Sequence, residues 1–555
     1  MPHPRPGARA LTTRLSRRDL LRRSAAASGA LAAMTLVGCN EEDGGGVSTP
    51  PAEAGGTLRF ATSLPISYGL DPHVERATGL AIFPKIYGYL LHVDPRDDAV
   101  VYDHASGYEQ PDHTTLIVKL QPNIYFHDIP PVGQRRVTAS DVVASIERFR
   151  DNPLVTDKTW HTTILDRAEA TDPETVRITL KRPYTYTLGE LGALAAGAII
   201  PRELIEQNEN IAINAIGSGP FRAESLDVSS GAARIVRNDA YFRAPANVDA
   251  MQWQVFDAGS RLEAFRRRDV DVIPNRDKNE ARTLAEFSDQ VDVASEPSLA
   301  YLSLGLRVDR PRFTDERVRR AIDMLLDRDE LIREVAFGDG DILGPVNPRL
   351  SDGFWSLPRS EIAASRNATM SADERIADAM RLLAAADAAD ATFALQVRDL
   401  PDLVDVGALV RNQLMRGGVR AEVQVLPELQ WFLNFRGGQF DATLISHLPY
   451  ESPDYPTRFF YSKGIDGKAN MFGFGDAAID TRIERSWGQT GEARRETLLD
   501  AQRLMLDARP MLQLFTGTGY TSAWNYVRNR GRAHLGSMAQ YQYEQWLAPG
   551  APGRS

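Results

Sequence analysis

The chain is short of thiols. Of its 555 residues only Cys39 is a cysteine, so no intramolecular disulfide and no thiolate metal cluster can form. Its nine histidines are scattered. His127 stands beside Asp128, but no second histidine follows at ligand spacing, so neither a metal nor another cofactor is expected. Long apolar runs are missing too. Ala25 to Val37 is uncharged and rich in small residues, yet it falls short of the about 20 residues that span a bilayer, and no later stretch is long and apolar enough to span one. Positive charge is scarce: the net charge is −10, and residues 1–38, with seven arginines and one aspartate, contribute +6 of it. The remaining −16 is unsuited to nucleic acid, which needs phosphate-neutralising surface. Hydrolase signatures are absent as well. The chain has no His-Glu-x-x-His and no P-loop. Gly217-Ser218-Gly219 lacks the extra residue that a Gly-x-Ser-x-Gly elbow needs between glycine and serine. No catalytic residue is nominated.

What is present begins with an address. Residues 14–24 read RLSRRDLLRRS, and the short uncharged run behind them reads as a signal-peptide core. Arg17 and Arg18, within Ser16 to Arg22, look like a twin-arginine export signal. Leu36-Val37-Gly38-Cys39 resembles a lipobox, which would make residues 1–38 a signal peptide and Cys39 a lipidated N-terminus. Residues 39–56 are polar and rich in glycine and proline, the composition of a flexible tether. The expected location is extracytoplasmic: the periplasm or the outer face of the cytoplasmic membrane, held by lipid.

The body has ordinary globular composition, 43% hydrophobic and 25% charged, and is long enough for two or three domains. Strand spacing appears at Thr57 onward, Leu116 to Leu120, Thr175 to Leu180, Phe393 to Val397, Val419 to Val425 and Met511 to Trp524. Helical spacing is expected over Ile82 to Leu91, after Val137, over Arg261 to Arg268, after Ser371, over Leu403 to Leu414 and over residues 493–508. Thr138 with Asp141, and Ser371 with Glu374, read as capping boxes. In Tyr301 to Leu331, alternating apolar residues give way to Pro311, to Thr314 as the expected N-cap, and to Val318, Ile322 and Leu325 on one helical stripe. Gly338 is expected to end the helical region that follows. Strand, helix, strand over 393–425 argues a βαβ unit and an α/β fold.

Several of these stretches carry a resemblance, in order. They are Gly55-Gly56-Thr57-Leu58, Leu70-Asp71-Pro72, the Tyr125-Phe126-His127-Asp128 segment with Val137-Thr138-Ala139-Ser140-Asp141-Val142, Gly217-Ser218-Gly219-Pro220-Phe221, Val318-Arg319-Arg320-Ala321 with Asp327-Arg328-Asp329, and Phe440-Asp441. Together they resemble the extracellular solute-binding proteins of ABC importers for peptides, nickel chelates and opines, of the dipeptide- and oligopeptide-binding kind. The resemblance covers roughly residues 55–547. It implies a two-lobed periplasmic-binding-protein-like fold of class II in its large form, with two hinge crossings. Lobe I would hold residues 55–300 and 510–555, with an extra subdomain at about 95–210, and lobe II residues 301–509.

The same resemblance implies a monomeric, non-enzymatic receptor that captures a peptide or similar-sized solute and delivers it to an ABC permease complex. In peptide binders an aspartate after the Phe440-Asp441 strand holds the ligand's amino group. Here the segment reads His447-Leu448-Pro449-Tyr450-Glu451-Ser452-Pro453-Asp454-Tyr455, a departure from the pattern, with Asp454 as the nearest counterpart. A carboxylate beside aromatics in a closed cleft suits a cation; a solvated loop aspartate is the competing reading. Ligand-binding candidates are therefore Asp454, Tyr455, Tyr450 and His447, with Ser218 in the glycine-rich turn and Tyr87 among the aromatics of the first lobe. An exported hydrolase, or a signalling or chaperone-like lipoprotein on the same fold, are the alternatives.

Overall fold

A computed structural model of the chain describes residues 55–62, 69–74, 81–93, 99–155, 157–227, 229–450, 452–465, 469–530 and 543–554. Arg17, Arg18, Cys39 and the tether lie outside the described residues.

Two sheet regions share one strand. Met511–Trp524 is 14 residues long and its partners change along its length. Met511, Leu512, Gln513 and Phe515 pair antiparallel with Tyr301–Leu306, while Tyr520 to Ala523 pair with Val272–Asn275 and, on the other side, with Val291–Pro297. The strand stays paired in the second sheet through Phe515, beyond the lobe boundary expected at residue 510. The outward passage lies between Pro297 and Tyr301. Thr516 ties the two passages together by donating its hydroxyl at 2.8 Å to Ser298 O and 2.7 Å to Ala300 O.

In the first region Thr57–Thr62 runs parallel to Ala250–Val255 and beside Val272, and Ala232–Arg237 and Phe221–Asp227 extend the sheet antiparallel. In the second, Thr392–Arg398 and Arg420–Leu426 are parallel and joined by the helix Pro401–Arg416, the expected βαβ unit. Leu403, Val406, Val410 and Leu414 are all buried, as their helical spacing requires. Ala442–His447 lies between Thr392–Arg398 and Tyr301–Leu306.

A separate antiparallel sheet orders Ala105–Asp112, Thr115–Leu120, Thr175–Leu180 and Leu165–Asp172. The helix Ala139–Asp151 covers it, its Val142, Ile146 and Phe149 buried. Its capping box forms as expected, the Asp141 carboxylate accepting the Thr138 N–H at 2.9 Å. The apolar core of this small sheet, with Val118, Ile178 and Trp160, is continuous with Phe460, Tyr461 and Trp487 of the second region.

Two expectations change. The helix expected over Ile82 to Leu91 is the single turn Phe83–Ile86. Tyr87 turns extended because the hydroxyls of Tyr87 and Tyr89 are drawn to the carbonyls of Leu70 and Leu194, each at 2.8 Å, while Gly88 bridges to Ile199. The N-cap of Glu316–Leu325 is Asp315, which accepts the Arg317 N–H at 2.8 Å; Thr314 instead spends its hydroxyl on Arg310 O at 2.9 Å within the turn Pro311–Thr314. Gly338, at φ +75, lies just past the helix Arg328–Val335, and its N–H reaches Ile332 O at 2.9 Å.

Candidate functional site

The strand Ala442–His447 ends beside the strand crossing, and an aromatic wall stands there. Tyr301 and His447 are cross-strand partners, and their rings stack at 4.2 Å between centroids. Tyr450 meets Tyr301 edge-on at 6.0 Å and stacks on Tyr455 at 5.5 Å. Phe459 closes the set, 5.4 Å from Tyr455 and 4.9 Å from His447. Tyr301, His447 and Tyr450 are buried, whereas Tyr455 and Phe459 are half-buried. Offset and edge-on contacts of this kind each contribute about 0.5–1.5 kcal/mol beyond burial.

The wall is anchored to the crossing. The Tyr450 hydroxyl accepts the Asn347 N–H at 2.6 Å, and the Asn347 amide reaches the carbonyls of Ser298 and Leu299, each at 3.4 Å. Ser303 Oγ lies 2.7 Å from His447 Nε2. Burial holds the His447 imidazole down to about 3, so it is neutral at physiological pH. The hydroxyl of Tyr301 is buried with no protein partner among the described residues.

Asp454 opens the short helix Asp454–Arg458 and is buried. Its Oδ2 accepts Arg494 Nη2 at 2.5 Å and lies 3.2 Å from the Tyr184 hydroxyl; its Oδ1 has no partner among the described residues. Arg458 lies one turn on. Its guanidinium reaches Asp157 at 2.9 Å, the Tyr184 hydroxyl at 3.2 Å, and Glu190. Burial pushes Glu190 up, opposed by the Arg458 charge.

Of the six sequence candidates, four converge here: His447, Tyr450, Asp454 and Tyr455. Ser218 and Tyr87 lie in the first region. Ser218 Oγ is 2.7 Å from His104 Nε2, and His104 Nδ1 is 3.2 Å from Asp103. Serine, histidine and aspartate in that order resemble a hydrolytic relay, but both Ser218 and His104 are about 1% exposed. A Cβ on Gly88 would stand 2.0 Å from the imidazole, so the space beside it is filled. Asp103 also accepts the Tyr89 N–H at 2.9 Å, which ties the set to packing of the chain. Tyr87 is 1% exposed and bonded to Leu70 O.

Sequence reasoning did not name Tyr301, Asn347, Tyr184, Arg458 or Arg494 as site residues. Arg458 follows Asp454 by four residues, a helical neighbour spacing that points to it; the partners it meets are far away in the chain. Among the described residues no helix is long and apolar enough to cross a membrane, and no group of three or more metal-ligating side chains occurs.

Comparison with known proteins agrees with this architecture. The glutathione-binding protein of Pectobacterium atrosepticum is 24% identical over 275 residues, 49% of this chain and 51% of that protein. The oligopeptide-binding protein of Bacillus subtilis is 23% identical over 389 residues, 65% of this chain and 68% of that protein. The match to the first thus spans about half of the relative's length. Among solved structures, the murein tripeptide-binding protein of Escherichia coli superposes with a TM-score of 0.78 at 18% identity, over 90% of this chain and 99% of its own. The periplasmic binding protein of Helicobacter pylori solved with the peptide STSA gives 0.77 at 18%, over 89% and 98%, and a mannopinic acid complex from A. tumefaciens R10 gives 0.75 at 22%, over 89% and 100%. These likenesses show the periplasmic-binding-protein fold. The family model for bacterial extracellular solute-binding proteins, family 5 middle, matches residues 99–468, and the chain belongs to that family.

Proposed function

We propose that this chain is the substrate-binding component of an ABC importer, a monomer that holds a peptide or peptide-like solute against the aromatic wall and hands it to a membrane permease. The observation that carries the reading is the wall itself: Tyr455 and Phe459 stay half-buried at the junction of two sheet regions joined by two strand crossings. Clefts at such junctions, lined by aromatics with a few placed polar groups, are where small solutes bind. Glutathione, oligopeptides and mannopinic acid, the solutes in the names of its relatives, are all small, polar and hydrogen-bond rich.

In this reading residues 55–300 with the C-terminal part of the chain form one lobe, residues 301–509 and the first half of the long strand form the other, and the small sheet at about 95–210 belongs to the first. Hinge closure then shuts the lobes on the solute. Tyr450, His447, Tyr455 and Tyr301 would pack its apolar parts. Asp454 Oδ1 and the Tyr301 hydroxyl, both buried and unspent, would take its polar ones. Asp454 is already paired to Arg494, so it would add to binding without serving as a lone clamp for an ammonium group. Ser218 and Tyr87 would act through packing of the first lobe. Cys39 would carry the lipid anchor after twin-arginine export through Arg17 and Arg18.

The test incubates purified protein with a mixed peptide pool and with glutathione, then reads bound species by native mass spectrometry. Intact solutes retained by the protein support a receptor; turnover to cleaved fragments would overturn that in favour of an exported hydrolase. Replacing Cys39 with alanine should leave the protein unanchored, and persistent membrane attachment would remove the lipid from the proposal.

A further inference from the structure

The short helix Asp454–Arg458 has two working faces. Tyr455 and Phe459, four residues apart, stand side by side in the aromatic wall. Asp454 and Arg458, also four apart, point to the small-sheet side of the molecule. Helical geometry makes this possible, since positions i and i+4 share a face. The second face is buried deeply: Asp454 is 1% exposed and Arg458 9%.

What Arg458 meets there comes wholly from the small-sheet segment. Asp157 lies just before Trp160, Tyr184 follows the strand Thr175–Leu180, and Glu190 lies in the helix Thr187–Leu191. One guanidinium engages all three, a planar fork that can satisfy several acceptors at once. The contact is continued around it. Thr185 N–H donates to Trp487 O at 2.8 Å, Tyr184 meets the Trp487 ring edge-on at 6.0 Å, and Arg182 pairs with Glu484 at 2.8 Å. The small-sheet segment is also fastened to the first region, by Arg148 on Asp71 at 2.5 Å and by the His127 N–H on Gly217 O at 2.8 Å. Arg458 is therefore the buried charge that joins the two sides.

We infer that Arg458 is a positioning residue that couples solute contact at the aromatic wall to docking of the small sheet on the second lobe. A solute pressing on Tyr455 and Phe459 fixes the same helical turn that carries Arg458, and so sets the guanidinium between Asp157 and Glu190. With the wall empty Arg458 passes between this seated position and a withdrawn one, and an occupied wall holds it seated. This rests on the wall being the solute seat, and the experiment separates the two ideas.

The full mature chain is used, with Arg458→Met, Arg458→Met combined with Glu190→Gln, and Arg458→Lys. The combined variant removes both buried charges together, so it keeps a folded protein where the single change strands a carboxylate. Amide hydrogen exchange is read over residues 184–190 without any solute. Exchange there should quicken at least about tenfold in both methionine variants and return part of the way in Arg458→Lys, which keeps charge but loses the fork. Unchanged protection in the combined variant would overturn the inference. With reduced glutathione and a synthetic tripeptide library as probes, the radius of gyration should fall on binding in the unaltered protein and fall less in the combined variant, with dissociation faster by at least about tenfold. Equal compaction and equal dissociation rates would also overturn it. Tyr455→Ala tests the seat separately: if it leaves probe binding intact while the exchange effect of Arg458 persists, the seat is misplaced and Arg458 joins the lobes without sensing a solute.

Discussion

Ser218 and Tyr455 sit in regions built on opposite plans. Around Ser218 the chain packs backbone against backbone: a Cβ on Gly217 would stand 2.0 Å from Ile86 O, and one on Gly219 2.4 Å from Lys85 O. The turn is bonded locally, Ser218 to His104 and the His127 ring between Gly219 O at 3.1 Å and Gly217 N–H at 3.3 Å. Around Tyr455 the contacts are ring on ring, and the buried Asp454 Oδ1 and Tyr301 hydroxyl have no partner among the described residues. Both regions are tightly held. The second gathers half-buried rings, Tyr455 and Phe459, against one another, whereas the first has the half-buried Phe242 edge-on to His104 at 5.6 Å, and that difference separates a structural joint from a surface able to receive a solute. The contrast is sharpened by substitutions that act on one region and spare the other.

The largest effect is expected at the charge pair behind the wall. Arg494→Met leaves Asp454 buried with only hydroxyl partners, and breaking a buried pair from one side costs about 3–5 kcal/mol. Urea unfolding should show that loss. Adding Asp454→Asn should return most of it, because no unpaired charge then remains. If the single change costs less than about 1 kcal/mol, water reaches Asp454 and the pair is not buried as described.

Acid comes next. Burial holds His127 and His73 down to about 4 and His447 down to about 3. A histidine whose folded pKa is depressed contributes stability that is present above its ordinary value of about 6.5 and is lost as pH falls below it. Both regions should therefore lose stability together from pH 6.5 to about 4, by roughly 3 kcal/mol for each histidine once pH 4 is reached. Below pH 4, of these three histidines only that of the wall continues to draw stability down. Asp323 adds to the loss from its ordinary value toward about 2: burial opposes its charge, but Arg328, Arg366 and Arg509 hold it low. Replacing His447 with glutamine should flatten the wall's share of a stability-against-pH curve and leave the joint's share intact.

The joint has its own specific break. Gly217→Ala forces a methyl into the Ile86 backbone, which cannot swing aside as a side chain would. Overpacking of this kind costs about 1–3 kcal/mol and sometimes more. Thermal denaturation should report it, while solute affinity of the folded fraction stays unchanged. A loss of affinity with no loss of stability would move the solute seat to the first region.

The alternation of Phe393 to Val397 and of Val419 to Val425, and the helix between them, sufficed to expect the βαβ unit, because each segment buries one regular face. The capping boxes at Thr138 and Ser371 were equally plain, since both partners lie within one turn. The turn at Phe83–Ile86 was not, because Tyr87 and Tyr89 leave the helix for carbonyls of Leu70 and Leu194, which nothing local announces. At the candidate site the loop from His447 to Tyr455 was visible as a departure from a family pattern. The neutralisation of Asp454 was not, because Arg494 lies 40 residues away and Tyr184 lies 270. Charge partners across such separations leave no spacing for a sequence to show. Tyr301 was read as one member of a strand face, and its stacking on His447 depends on the register of two strands 140 residues apart.

The smallest effect on stability carries the most direct comparison of the two regions. Tyr455→Ala removes a half-buried ring whose neighbours Tyr450 and Phe459 still touch other partners, so the fold should lose no more than about 1–2 kcal/mol. Its solute should bind about tenfold more weakly, the 1.4 kcal/mol expected when one aromatic contact is lost. Ser218→Ala also costs about 1 kcal/mol, from the lost hydrogen bond to His104, but its solute affinity should not move. Titration calorimetry on the two variants with one common peptide separates the roles at nearly equal stability. Two equal affinities would mean that half-buried aromatic surface is no guide to where this receptor holds its solute. A weaker Tyr455→Ala beside an unaltered Ser218→Ala ties recognition to the loop that follows Ala442–His447, where the chain departs from the peptide-binding pattern.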